Sequence, residues 1–260
     1  MGSLIVVKDD GPVRHLTLDR PDRLNALNSD VLSELERLVT EAGEDSSVRC
    51  LVVSGAGDRA FCAGADLEEI RGLGPEGAHE FIRRGHRAMS AVEASVVPVI
   101  AEVDGFALGG GLELMLACHL VVASDRSSFG LPEAKIGCIP GFGGTQRLLT
   151  AASRATAFHL LLTGDRVDAE RAWHMGLLSL PPVAATEVAQ RSRELAQQIG
   201  AGSRSGTRNI LEAARRAVRR PALEHEAALA AIAISSADGQ EGIGAFAERR
   251  PPVFDQERGS

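Results

Sequence analysis

Aromatic side chains are the scarcest class in this 260-residue chain. They make up 3% of the residues, with no tyrosine and a single tryptophan, Trp173. Proteins that bind single-stranded nucleic acid by base stacking need aromatic platforms, and polyanion binders usually carry a basic face. The net charge here is −7. The composition therefore argues against nucleic-acid binding, and it leaves a core built from Val, Leu, Ile and Ala.

Cysteines and long apolar runs are also few. The four cysteines stand singly, at Cys50, Cys62, Cys118 and Cys138. Without C-x-x-C spacing they favour buried thiols in a reducing compartment over disulfides or a metal site, and the scattered histidines predict no metal either. No segment reaches the ~18 apolar residues of a membrane span, and the N-terminus lacks the pattern of a signal peptide. We expect a cytoplasmic protein without membrane contact.

Strand and helix patterns alternate through the first half of the chain. They predict a hairpin over residues 4–18, helices over 31–42, 75–92 and 109–118, and strands over 50–54, 97–103 and 120–123. This rhythm, with glycine-rich turns, predicts an α/β layered or superhelical core. After about residue 143 the strand signals almost vanish and helical patterns follow. We therefore divide the chain into an α/β unit, residues 1–200, and a helical unit, residues 201–260.

Two glycine-rich segments have the pattern of ligand-binding helix starts. The triple glycine at residues 109–111 precedes Glu113, and a second turn holds Ala65 before a helix that begins near Asp66. A helix start has backbone N–H groups without intrahelical partners and suits an oxyanion or a phosphate. Two such donors on one carbonyl oxygen would form an oxyanion hole. Taken singly, each segment fits a tight packing turn or a capped loop as well.

Two glutamates, Glu113 and Glu133, come after these glycine-rich segments in the sequence. Glu113 lies two residues after the triple glycine, and Glu133 lies in a Leu-Pro-Glu turn. A pair of carboxylates can hold a water molecule and exchange protons with it and with a substrate. Alone, Glu113 is also the residue that a helix dipole favours in a first turn. As a pair, the two glutamates predict general acid–base chemistry.

Seven segments, in order, resemble the enoyl-CoA hydratase/isomerase family, the crotonases, over nearly the whole chain. They are RPDRLNAL (residues 20–27), AFCAGADLEE (60–69), GGGLEL (109–114), FGLPE (129–133), IPGFGGTQRL (139–148), TGDRVDAERAWHMGLL (163–178) and EGIGAFAERRPPVF (241–254). The resemblance implies a crotonase-like spiral of repeated ββα units followed by a C-terminal helical trimerisation region. It also implies an acyl-CoA substrate, with coenzyme A as part of the substrate rather than a separate cofactor, and a homotrimer or a hexamer built as a dimer of trimers.

The resemblance also places the catalytic residues. By position, the N–H groups of Ala65 and Gly110 would form the oxyanion hole around the thioester oxygen. Glu113 and Glu133 correspond to the paired catalytic glutamates of a hydratase. We expect Glu113 to hold or activate the water and Glu133 to exchange the proton with the substrate Cα.

The same resemblance assigns the residues that bind coenzyme A. They are Arg23, Ala63, Gly64, Ala65, Asp66, Leu67, Gly110, Phe246 and Arg249. Arg23 matches a basic residue near the CoA phosphates. Phe246 and Arg249 match positions that contact the nucleotide end, often from a neighbouring subunit.

Retention of both glutamates favours one reaction within the family. Isomerases, decarboxylases and thioester hydrolases of this type often lack one of the pair, so we expect syn hydration of a 2-trans-enoyl-CoA to a 3-hydroxyacyl-CoA. The alternatives are a Δ3,Δ2-enoyl-CoA isomerase and a biosynthetic hydratase of branched or dicarboxylic enoyl-CoA. A non-catalytic acyl-CoA-binding assembly protein is the alternative from another class, although such a protein would not need the carboxylate pair.

One residue departs from the family pattern. His119 follows Ala117 and Cys118 where the family usually has an aspartate. The departure puts in doubt the contact that this aspartate makes below the site. We interpret His119 as a polar residue at a helix C-terminus, where a charged ring would favour the dipole, and not as a catalytic group.

Overall fold

Successive strands alternate between two sheets in the computed structural model, which describes residues 3–217 and 223–252. The five-stranded sheet has the order β1 (Ile5–Asp10), β2 (Val13–Leu18), β3 (Cys50–Gly55), β5 (Val99–Val103) and β7 (Leu120–Ala123). The four-stranded sheet has the order β4 (Ala60–Cys62), β6 (Phe106–Leu108), β8 (Ser128–Gly130) and β9 (Arg166–Asp168). Within each sheet, strand order therefore follows chain order.

The helices follow the strands in a regular sequence. They are α1 (Ser29–Glu44), α2 (Leu67–Ile70), α3 (Pro75–Glu93), α4 (Gly110–Ala117), α5 (Gly144–Ala151), α6 (Arg154–Thr163), α7 (Ala169–His174), α8 (Val188–Gly200), α9 (Arg204–Ala217), α10 (Leu223–Ser235) and α11 (Ala237–Ala247), with short 3-10 helices at Pro21–Arg23 and Pro132–Ile136. Within the described ranges, no helix combines the length and apolar character that a membrane span requires.

The chain winds as a spiral of ββα turns. After the antiparallel hairpin of β1 and β2, each turn places one strand in the five-stranded sheet, one in the four-stranded sheet, and then a helical element. The pairs β2–β3, β3–β5 and β5–β7 are parallel, and so are β4–β6 and β6–β8. The superhelical α/β core predicted from the sequence is confirmed. Each turn brings a β-to-helix junction to the same side of the molecule, where ligand sites of α/β folds gather.

Helix α4 runs through the interior. Its sequence, GGLELMLA, is apolar all round except for Glu113, and all of its residues but Leu116 are buried. A helix that is hydrophobic on every face belongs in a core. The single carboxylate on α4 is therefore carried into the interior by the burial of its neighbours.

The strand ranges predicted from the sequence include none of the strands of the four-stranded sheet, each of which is three residues long. β9 lies after residue 143, where the sequence patterns predicted helices, and it pairs antiparallel with β8, with Ser128 opposite Asp168. Only its central residue, Val167, is buried, between exposed Arg166 and Asp168. A three-residue strand with one apolar side chain gives too short an alternation to recognise.

The C-terminal helices share the main core with the spiral. Ala227, Ala230 and Ile234 of α10 and Ile243 of α11 belong to the same cluster of buried side chains as α3 and α4. Helix α8 covers the other face of the five-stranded sheet with Val188 and Ala196. The proposed boundary between residues 200 and 201 falls between α8 and α9, and it stays a prediction.

His119 joins two strands of the five-stranded sheet. Its backbone N–H donates to the carbonyl of Val99 at 2.9 Å, and its Nδ1 accepts from the N–H of Val99 at 3.0 Å. A ring nitrogen that accepts a hydrogen bond carries no proton, so in this contact His119 acts as a neutral acceptor, whereas a favourable interaction with the helix dipole would need the charged ring. A carboxylate oxygen can accept the same N–H, which explains how histidine can stand where the family usually has aspartate.

Replacing His119 tests this contact. In His119→Ala, the buried N–H of Val99 loses its acceptor, and we expect the free energy of unfolding to fall by about 1–3 kcal/mol. In His119→Asp the acceptor is restored, so stability should stay closer to that of the wild type. Urea unfolding measures both, with His174→Ala as the control because that side chain is 67% exposed. Equal stability of the wild type and His119→Ala would contradict the assignment.

Candidate active site

A cavity of about 350 Å³ opens between both glycine-rich turns, helix α3 and the C-terminal helices. Its size falls in the range of small-molecule sites, which are concave and mostly apolar with a few convergent polar groups. Glu113 and Glu133 both line it, as do Ala65 and Gly110. The four residues that the sequence predicts to be catalytic therefore meet at one cavity.

The first glycine-rich turn is held by the loop before α1. The N–H of Leu27 donates to Gly64 O at 2.8 Å, and the N–H of Asp66 donates to Leu27 O at 2.9 Å. Asn25, in the left-handed region with φ 57°, anchors that loop by donating to Ala60 O at 2.8 Å. Gly64 has φ +114°, which few L-residues adopt. These bonds fix the position of the backbone at Ala65.

The two predicted oxyanion donors are neighbours. A Cβ built on Gly110 would lie 3.3 Å from the backbone N of Ala65, and one built on Gly64 would lie 3.4 Å from the backbone N of Gly110. Gly110 is the first residue of α4, so its N–H is among those that the helix leaves without an intrahelical acceptor. Two backbone N–H groups near the starts of α2 and α4 can donate hydrogen bonds to one oxygen on which negative charge develops.

Glu133 lies against the same helix start. It is carried by the 3-10 helix Pro132–Ile136, and its backbone carbonyl accepts from the N–H of Cys138 at 2.9 Å. A Cβ on Gly109 would lie only 2.8 Å from Glu133 Oε1, and Gly109 has φ +52°. Glycine at position 109 therefore permits both the positive φ of the turn and the close approach of the Glu133 carboxylate.

Glu113 is held by the backbone. It is 1% exposed, and its Oε1 accepts from the N–H groups of Phe142 and Gly144, both at 2.7 Å. Gly144 begins helix α5, so the positive end of that helix also faces the carboxylate. Two charge-assisted bonds to one oxygen fix the side chain and favour its ionised form.

The aromatic ring of Phe142 depends on a glycine that sequence reasoning missed. A Cβ on Gly85, in the middle of α3, would lie 2.0 Å from Phe142 Cδ1. On its other side the ring faces Gly110, whose Cβ would lie 3.0 Å from Cδ2, and Phe81 is 5.6 Å away between ring centroids. The signal available in the sequence was a glycine inside a helical pattern, which usually has a packing reason.

The cavity has two chemically different ends. The side chains of one end are almost fully buried and apolar: Ile70 (4% exposed), Phe81 (3%), Ile82 (3%), Phe142 (2%) and Ile234 (4%). Three cations, Lys135, Arg166 and Arg250, line the exposed end. The inner end therefore fits a hydrocarbon, and the outer end fits an anionic group.

The predicted coenzyme A residues separate into two groups. Ala63, Gly64, Ala65, Leu67, Gly110 and Phe246 line the cavity, with Phe246 61% exposed. Arg23, Asp66 and Arg249 are not among the described residues that line it. Arg23 pairs with Glu68 at 2.6 Å, and Asp66 caps α2 and pairs with Arg20 at 2.8 Å. Their roles in binding stay predictions.

The cysteines are buried rather than reactive. All four are free thiols, and Cys50, Cys62 and Cys138 are buried. Burial raises the pKa of Cys62 to about 12, and it does the same for Cys50 and Cys138. A thiol that is protonated at neutral pH is a poor nucleophile. Within the part of the chain that the structure describes, no group of His, Cys, Asp and Glu is arranged to hold a metal ion.

Comparison with known proteins agrees with the geometry. The family model for enoyl-CoA hydratase/isomerase matches residues 9–257. A probable enoyl-CoA hydratase of Mycobacterium tuberculosis is 38% identical over 253 residues, covering 96% of this chain and 97% of that protein. The crotonyl-CoA hydratase of Syntrophomonas wolfei is 35% identical over 253 residues, with the same coverage of both chains.

Solved structures give the same result. The enoyl-CoA hydratase from Bacillus anthracis superposes with a TM-score of 0.81 at 33% identity, covering 98% of this chain and 100% of that one. The carnitinyl-CoA hydratase from Mycobacterium avium superposes with a TM-score of 0.86 at 36% identity, covering 98% and 99%. The fold predicted from the motifs is confirmed, and the chain belongs to the enoyl-CoA hydratase/isomerase family of enzymes.

Proposed function

We propose that the protein adds water to a 2-trans-enoyl-CoA and forms a 3-hydroxyacyl-CoA. The observation that carries the proposal is the meeting of two glutamates and two neighbouring backbone donors at one cavity. The relatives named as enoyl-CoA and crotonyl-CoA hydratases support the reaction class. An isomerase needs no water in its reaction, and a protein that only binds acyl-CoA needs neither carboxylate.

The backbone amides of Ala65 and Gly110 stabilise the thioester oxygen. Attack of water at Cβ moves electrons toward the thioester carbonyl, so negative charge develops on its oxygen. Two N–H donors that the fold already holds close together need little reorganisation during the reaction. Removing one donor of this kind typically costs about 3–4 kcal/mol of transition-state stabilisation.

The two glutamates divide the proton transfers. Glu113, held as a carboxylate by the N–H groups of Phe142 and Gly144, accepts a proton from water as its oxygen bonds to Cβ. Glu133, which starts protonated, delivers its proton to Cα, and the proton that Glu113 took from water then passes to Glu133 through solvent, so that both carboxyl groups regain their starting states. The hydroxyl group from water and the proton from Glu133 reach the same face of the double bond, which is syn addition.

The ends of the cavity orient the substrate. Lys135, Arg166 and Arg250 at the exposed end attract the phosphates of coenzyme A, which is part of the substrate, and the reaction needs no further cofactor. The buried apolar end, with Ile82 and Ile234, receives the acyl chain. This end favours an unsubstituted hydrocarbon over a dicarboxylic or otherwise charged acyl group.

The proposal includes assembly into a homotrimer or a dimer of trimers in the cytoplasm. Large apolar side chains are exposed on the C-terminal helices: Ile210 on α9 is 68% exposed, Ile232 on α10 62% and Phe246 on α11 61%. Exposed apolar side chains mark surfaces that contact other proteins. Phe246 also lines the cavity, so an assembly through these helices would reach the site.

Turnover of crotonyl-CoA tests the reaction. We expect the wild type to bleach the absorbance of the conjugated thioester, and Glu113→Gln and Glu133→Gln each to lower kcat by about 100-fold or more, because each removes one proton transfer. Glu41→Gln, on an exposed helix face, is the control. A wild type that leaves 2-enoyl-CoA of every chain length unchanged would refute the proposal. Conversion of a 3-enoyl-CoA without hydration would support the isomerase instead.

The acyl chain's end group provides a second test. A 2-enoyl-CoA with a carboxylate at its far end would bury an unpaired charge among Phe81, Ile82 and Ile234. We expect its kcat/KM to be about 100-fold or more below that of a straight-chain enoyl-CoA with the same number of carbons. Steady-state kinetics on the matched pair measures the ratio. Equal kcat/KM values for both substrates would show that another part of the protein selects the acyl chain.

A further inference from the structure

The two donors that hold Glu113 lie at the end of the loop that joins the 3-10 helix to α5: Phe142 lies within this loop, and Gly144 is the first residue of α5. Phe142 is bound on both sides of its backbone: its N–H donates to Glu113 Oε1 at 2.7 Å, and its carbonyl accepts from Arg147 Nη1 at 2.8 Å. A shift of this residue would therefore disturb both bonds at once.

Arg147 reaches the loop from the first turns of α5. It is 8% exposed, and its other terminal nitrogen, Nη2, donates to Glu93 Oε2 at 2.9 Å. Glu93 is the last residue of α3, and its side chain is 24% exposed. A buried guanidinium needs a partner because an uncompensated charge in the interior is costly.

The ion pair between Arg147 and Glu93 connects α5 to α3. Helix α3 carries Gly85, which makes room for the ring of Phe142, and Glu93, which holds Arg147. The ring and the carbonyl of Phe142 are thus both located by α3, one through packing and one through the ion pair. The N–H of Phe142, in turn, faces the carboxylate of Glu113.

We infer that Arg147, held by Glu93, is a positioning residue for hydration: it fixes the Phe142 carbonyl so that the loop's N–H groups keep Glu113 ionised and aligned. The inference rests on the proposed function for its kinetic consequence. Arg147 is not among the described residues that line the cavity. Its effect reaches the reaction through the peptide of Phe142 and the carboxylate of Glu113.

Arginine suits this position better than lysine does. The planar guanidinium offers several N–H donors in a fixed fork, so it can bond a carbonyl and a carboxylate together. An ammonium on a flexible stem has the charge but not the fork. The Arg147→Lys variant would keep either the ion pair with Glu93 or the bond to Phe142 O, and the loop would be held only in part.

The experiment uses the full-length protein with Arg147→Met, Arg147→Lys, Glu93→Gln and the double variant Glu93→Gln/Arg147→Met. For crotonyl-CoA we expect kcat to fall about 10–100-fold in Arg147→Met, with KM within about threefold, because a misplacement of the base costs rate without removing substrate contacts. The kcat of Arg147→Lys should lie between that of Arg147→Met and that of the wild type. The double variant should be no slower than Arg147→Met, because the two residues act through one contact.

A second measurement does not depend on turnover. Infrared difference spectra between each protein and its Glu113→Gln form isolate the carboxylate band of Glu113. In Arg147→Met we expect this band to convert to the acid band at a higher pH than in the wild type, because the N–H bonds that favour the ionised form are weakened. Arg37→Met is the matched control: it removes an exposed arginine paired with Glu41 at 2.7 Å and should change neither kcat nor the band.

The outcomes separate the inference from the proposed function. An unchanged kcat and an unchanged Glu113 band in a folded Arg147→Met or Arg147→Lys variant would overturn the positioning role. If the wild type hydrates nothing while Arg147→Met still shifts the band, the proposed reaction fails and the positioning of Glu113 stands. A loss confined to KM would also overturn the inference, because it would place Arg147 in substrate binding.

Discussion

The structure depends on the two hydrogen bonds that the backbone of Phe142 and Gly144 donates to Glu113 Oε1, both at 2.7 Å. A carboxylate that is 1% exposed would be unstable in an apolar helix without them. Burial of α4 brings Glu113 into the interior, and the loop before α5 compensates its charge there. The same two bonds that compensate this buried charge also hold the carboxylate of Glu113 beside the cavity.

The second constraint is that side chains must approach the backbone closely at several positions, and only glycine leaves room for this. Gly109 and Gly110 let Glu133 and the ring of Phe142 reach the start of α4, and Gly85 lets that ring lie against α3. A Cβ at Gly85 would lie 2.0 Å from the ring and would push the loop away from Glu113. These glycines place two carboxylates and two amides around one space, and any of them exchanged for alanine would separate the parts.

Much of this arrangement could be predicted from the sequence, because its signals are local. The triple glycine at the start of α4, the turn before Ala65 and the apolar run around Glu113 lie within a few residues of the groups they position. The missing parts are contacts between distant elements. Gly85 and Phe142 meet across 57 positions of the chain, Glu93 and Arg147 across 54. Residue type alone does not indicate that either pair would meet. Strand β9 has a single buried apolar residue, which is too weak a pattern to predict a strand.

We propose that one cavity aligns a thioester oxygen with two backbone donors and a double bond with two glutamates. A crystal structure of the protein with a bound, unreactive acyl-CoA thioester would show whether this alignment exists. We expect the thioester oxygen to lie about 2.7–3.1 Å from the nitrogens of both Ala65 and Gly110, with the acyl carbons between Glu113 and Glu133. A thioester oxygen that points away from either nitrogen, or an acyl chain outside the apolar end, would refute the proposed alignment.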